Sequence, residues 1–103
     1  MENNNPTPRS VFIEAREWSD KVNGNSYFSS RLWLDGEIAL TLGGLHYGYG
    51  DFFIHQTLKA AADSGLIPAN WDCVRAIRDA GVSIYTAKKP SLKREMFKAG
   101  YHD

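Results

Sequence analysis

Apolar and polar residues alternate along 11–18, VFIEAREW, with Val11, Ile13 and Ala15 on one face and Glu14 and Arg16 on the other, which predicts a strand. Asn23-Gly24-Asn25 then predicts a turn, because Asn and Gly tolerate the positive φ that hairpins require. Two further strands, SYFSSRLWL and EIALTL, flank Asp35-Gly36. A two-residue turn there would pair Trp33 with Ile38 and set Arg31 against Leu40. A three-residue turn with left-handed Gly36 pairs Leu32 with Ile38, Ser30 with Leu40 and Phe28 with Leu42. The second register keeps Phe28, Leu32, Ile38, Leu40 and Leu42 on one face and is preferred.

The pattern then changes period. DFFIHQTLKAAADSG places Ile54, Leu58 and Ala61 on one helical stripe, with Asp51 as N-cap and Gly65 as the stop. NWDCVRAIRDAG predicts a second helix, capped by Asn70, with Cys73, Val74, Ile77 and Ala80 as its stripe and Gly81 at its end. VSIYTAK reads as a fourth strand, Val82 and Ile84 to one side and Tyr85 to the other. PSLKREMFKAG predicts a short C-terminal helix capped by Ser91 and docking Leu92, Met96 and Ala99. The expected fold is α+β: a three-stranded antiparallel meander, two helices, a fourth strand in the same antiparallel sheet and a short C-terminal helix, with helices packed on one face. Residues 1–10, polar and carrying Pro6 and Pro8, are expected to form a flexible arm, and 11–103 a single domain.

Composition narrows the function classes. The only cysteine is Cys73, so no intramolecular disulfide can form. The opening MENNNPTPRS has no basic region leading into an apolar run, and no apolar stretch reaches the ~20 residues of a membrane helix, so a cytoplasmic soluble protein is expected, with no membrane partner. Net charge is zero but uneven. Residues 1–65 hold eight acids against five bases, and residues 66–103 seven bases against four acids.

Candidate chemistry is sparse. GGLHYGYGD, residues 43–51, leads into a helix N-terminus, where backbone N–H groups favour phosphate. It lacks both the Walker lysine and the dinucleotide glycine spacing, and Asp51 puts a carboxylate where the anion would sit. It reads instead as a corner anchored by Tyr47 and Tyr49. His46, His55 and His102 lack metal-ligand spacing, and Cys73 lies on an apolar stripe. With no nucleophile, base and oxyanion set in view, no enzyme, metal or cofactor is expected.

Two binding surfaces remain. Arg75, Arg78, Lys88, Lys89, Lys93, Arg94 and Lys98 form a basic segment able to follow a phosphate backbone. Tyr27, Arg31, Trp33 and Tyr85 fall on the sheet face opposite the apolar one, and Tyr, Trp and Arg dominate energetically dense interfaces. With Tyr47 and Tyr49 they are the interface candidates.

The run VNGNSYFSSRLWLDGEIALTLGGLHYGYGD, followed by a helix, resembles small uncharacterised proteins of bacteriophages and prophages over residues 11–65. The carriers are the NG turn, the YFS strand, the DG hairpin and the YGYG element; Gly43-Gly44 is a departure from the pattern. The resemblance implies a non-enzymatic accessory protein that acts by binding a host protein or defence complex, an anti-defence (anti-CRISPR-like) inhibitor. Nucleic-acid binding through the basic segment and a nucleotide-binding sponge are the alternatives.

Overall fold

The computed structural model describes residues 8–48 and 50–93. Its elements are β1 (Ser10–Asp20), β2 (Asn25–Leu34), β3 (Glu37–Tyr47), α1 (Phe52–Asp63), α2 (Val74–Asp79) and β4 (Ser83–Pro90). Of the predicted C-terminal helix, Pro90 instead ends β4 and Leu92 is exposed rather than docked, while 94–100, with Met96 and Ala99, lie outside the described residues, as does 1–7 of the N-terminal arm.

The strands form one sheet in the order β3-β2-β1-β4. The meander β1-β2-β3 is antiparallel as predicted, but β4 runs parallel to β1, so the sheet is mixed rather than antiparallel. The reason is topological. A long helical connection that crosses the sheet returns the chain in the direction of the strand it left, and β3 already runs the same way as β1.

The register at Asp35-Gly36 combines the two alternatives. The turn has two residues, both at positive φ as a type I′ turn requires, and Trp33 pairs with Ile38. Ala39 is then left without a partner, so Leu32 meets Leu40 and Ser30 meets Leu42. This bulge returns Leu40 and Leu42 to the apolar face with Phe28 and Leu32, but leaves Ile38 on the other face, exposed rather than buried. A second irregularity sets Gly43 to Leu45 against Ser29 alone, and pairing resumes at Phe28 with His46. The Gly43-Gly44 pair is therefore inside a strand.

Asp35 also ties this turn to the start of β1. Its Oδ1 accepts hydrogen bonds from the backbone N–H of Arg9 (2.8 Å) and Ser10 (3.0 Å), while its own N–H donates to the Ser10 carbonyl. Asp35→Ala removes an acceptor from two N–H groups and puts a Cβ-bearing residue without a polar side chain at φ 53°. Because these bonds are exposed, it is expected to lower stability by about 0.5–1.5 kcal/mol, measured as a shift in the urea midpoint. Asp35→Asn should recover most of the loss.

The core joins Val11, Ile13, Ala15, Phe28, Leu32 and Ile84 of the sheet with Phe53, Ile54, Leu58 and Ala61 of α1 and Ile77 of α2. Ile54, Leu58 and Ala61 are the predicted stripe. Thr57 is buried among them. Its hydroxyl donates to the Phe53 carbonyl (2.6 Å), so the Ser30 hydroxyl must donate to Thr57 Oγ1 (2.6 Å). Asp51 occupies the α1 N-cap position but makes no side-chain cap bond. At the other end, Gly65 N–H bonds Ala62 O and Leu66 N–H bonds Ala61 O, a Schellman motif on left-handed Gly65. Gly81 ends α2 in the same manner.

Helix α2 is shorter than predicted. It begins after Cys73 rather than Asn70, Ala80 lies exposed beyond its end, and Trp71 sits buried in the core ahead of it.

At the β1–β2 turn, Asp20 accepts from Asn23 Nδ2 (2.8 Å) and from the N–H groups of Val22 and Asn23. The Asn23 side-chain bond, above all, holds the Asp20 carboxyl below its ordinary value; desolvation opposes it, and the two backbone bonds and Lys93 add to the lowering. A depressed carboxyl stabilises the fold above its unfolded-state value, and that contribution disappears as pH falls through the folded value. Asn23→Ala is expected to move the Asp20 midpoint upward in a ¹³C-carboxyl NMR titration.

Candidate functional site

The sheet face opposite the core is built from cross-strand rows. Phe12 pairs with Trp33 and Tyr85, and Trp33 with Ile38; Glu14 pairs with Arg31; Trp18 pairs with Tyr27, and Tyr27 with Tyr47. Tyr27, Arg31, Trp33 and Tyr85 thus share one face, as the alternation predicts, and Tyr47, read from sequence as a corner anchor, joins them there. They do not form one site. Trp33 and Trp18 stand six residues apart along the paired β1 positions, about 20 Å at ~3.3 Å per residue.

Most of this face is already engaged within the chain. Trp33 Nε1 donates to Glu14 Oε1 at 2.7 Å, and Trp18 stacks on Tyr27 with centroids 5.6 Å apart. Lys93 Nζ lies 5.2 Å from the centroid of the Trp18 ring. Tyr27, Arg31 and Trp33 are half-buried and Ser29 is fully buried. Tyr47 meets the Tyr27 ring edge-on at 5.9 Å but stays 59% exposed, and Tyr85 is 64% exposed.

The basic segment is dispersed where it can be described. Lys88 is half-buried, with Nζ 3.2 Å from Glu17 Oε2 and 2.7 Å from the Gly50 carbonyl, and it faces the Phe53 ring. Arg75 and Arg78 are exposed on α2, Arg75 4.0 Å from Asp79. Lys89 is exposed on β4. Arg94 and Lys98 lie outside the described residues.

The corner between β3 and α1 is different. Strand β3 runs through His46 and Tyr47 rather than ending at Leu42, and Gly50 and Asp51 lie in a turn ahead of α1. His46 Nε2–H donates to the Gly43 carbonyl at 2.8 Å, and its ring packs on Phe28 with centroids 5.5 Å apart. Gly48 is buried at φ 155°, donates to Ser26 O, and has no room for a side chain, because a Cβ there would overlap the Phe52 ring. Gly48 thereby lets Phe52 lie against the end of the strand.

Around these residues opens a largely apolar pocket of about 420 Å³, lined by Tyr47, Gly48, Asp51, Phe52 and His55. That volume is within the ~300–1,000 Å³ typical of ligand sites. Phe52 is 42% exposed, and its other edge meets Phe28. Of the lining residues, Tyr47 is an interface candidate from sequence, Asp51 is read there only as a helix cap, and Phe52 is not singled out. The signal was available: Phe52, His55 and Lys59 share the helix face away from Ile54, Leu58 and Ala61, so one of the two adjacent phenylalanines had to face out. Tyr49 lies outside the described residues.

Among the described residues no three His, Cys, Asp or Glu side chains come together as metal ligands, and no helix is long and apolar enough to cross a membrane. Comparison with protein-family models, with curated proteins and with solved structures finds no match.

Proposed function

We propose that this chain is a non-enzymatic protein-binding module that engages its partner through the β3–α1 corner. The observation that carries the reading is the exposure of two aromatic rings, Tyr47 and Phe52, on the walls of an apolar pocket. Exposed aromatics beside a concave apolar surface have the make-up of an interface anchor, where burial by a partner recovers the transfer free energy that solvent exposure forgoes. The resemblance to phage and prophage proteins gives the reading its setting: a phage accessory protein that occupies and blocks a host protein or defence complex.

Nucleic-acid binding has less support, since the Lys88 ammonium is committed to Glu17 and Gly50 and the rings of Trp18 and Tyr27 stack on each other rather than lying open to bases. A tagged chain incubated in bacterial lysate is expected to retain one protein partner in a salt-resistant complex. Tyr47→Ala and Phe52→Ala should each weaken retention by about tenfold or more, the effect of a hot-spot residue. Unchanged retention by both variants, or a nucleic acid as the retained species, would sink the reading.

A further inference from the structure

We infer that the β3–α1 pocket takes the guanidinium group of an arginine side chain on the partner. The inference rests on the reading of this corner as a protein-binding surface and specifies what it binds. The pocket combines two exposed aromatic rings, Tyr47 and Phe52, with an exposed acidic residue, Asp51, among those that line it. Rings attract cations over their faces, and guanidinium adds a flat shape that stacks on a ring while its N–H fork bonds a carboxylate.

The charge of Asp51 is available. Asp51 forms no side-chain cap bond and no ion pair among the described residues, although it begins a helix. Lys88 reaches this corner but bonds the Gly50 carbonyl and Glu17, not Asp51. The partial positive charge of the helix N-terminus, about half a unit, is smaller than the full charge of the carboxylate, so the corner stays negative. An anionic ligand is disfavoured on the same count, and a purely apolar one would leave Asp51 beside it without a counter-charge.

The test is an NMR titration of the full chain with N-acetyl-arginine N-methylamide, following the ring signals of Tyr47, Phe52 and His55. Saturable shifts centred on these residues are expected. N-acetyl-citrulline N-methylamide, of the same shape but neutral, should bind about fivefold or more weakly, and Asp51→Asn should weaken the arginine analogue by a similar factor. That variant keeps the helix start, since the Asp51 side chain caps nothing. Equal binding of the citrulline analogue, equal binding of the corresponding lysine analogue, or no saturable shift at these rings would overturn the inference. Lysate capture separates it from the broader reading. Loss of the partner on Tyr47→Ala but full retention by Asp51→Asn rejects arginine recognition alone, whereas retention by Tyr47→Ala, Phe52→Ala and Asp51→Asn rejects the protein-binding surface as well.

Discussion

Phe28→Ala is expected to destabilise the fold by about 3–5 kcal/mol, the cost of removing a fully buried phenyl ring and leaving a cavity. Phe28 is 1% exposed and stands at the meeting point of three features: the core, the strand pairing that resumes after Gly43 to Leu45, and the corner. Its ring contacts His46 and Phe52 with centroids 5.5 and 6.4 Å away. At about 4–8 °C per kcal/mol for a domain of this size, the melting temperature should fall by at least ~12 °C. The pocket should also lose its shape, because Phe52 rests against the ring that is removed. A loss under ~1 kcal/mol in urea unfolding would mean that Phe28 does not seat the corner.

The second large effect concerns the buried hydroxyl pair. Thr57→Val keeps the outline of the side chain but removes the acceptor of the Ser30 hydroxyl, which is completely buried. An orphaned buried donor costs about 1–3 kcal/mol, whereas replacing both partners can be nearly neutral. Thr57→Val alone should therefore destabilise by that amount, and Ser30→Ala with Thr57→Val should be less harmful than the sum of the single changes. Additivity within ~0.3 kcal/mol in the double-mutant cycle would show that the two hydroxyls are not coupled.

How much of this was legible in the chain depended on the range of the interaction. The faces of β1 and β2, the α1 stripe and the glycine stops at Gly65 and Gly81 follow from local periodicity and turn chemistry, and they appear where expected. The direction of β4 was also legible from the length of its connection, but alternation alone led to an antiparallel expectation. The register after Asp35-Gly36 was not legible as a choice between two uniform turns. Two demands conflict there: Asp35 and Gly36 suit a two-residue turn, and Leu40 and Leu42 need the opposite face. The bulge at Ala39 satisfies both by leaving one residue unpaired, at the expense of exposing Ile38. At the candidate site, Tyr47 could be picked from sequence, whereas Asp51 reads there only as a helix cap. The dispersal of the basic segment could not, because the contact of Lys88 with Glu17 and Gly50 joins residues far apart in the chain.

The two irregularities in β3 have a further effect on how the molecule behaves among its own copies. With the order β3-β2-β1-β4, both β3 and β4 are outer strands among the described residues, and a long regular outer strand is a template for runaway stacking of identical chains. Strand β3 breaks its hydrogen-bonding rhythm at Ala39 and again at Gly43 to Leu45, and β4 carries Lys88, Lys89 and finally Pro90, which has no N–H to offer. Among the described residues, neither rim presents an unbroken ladder for a second copy to extend.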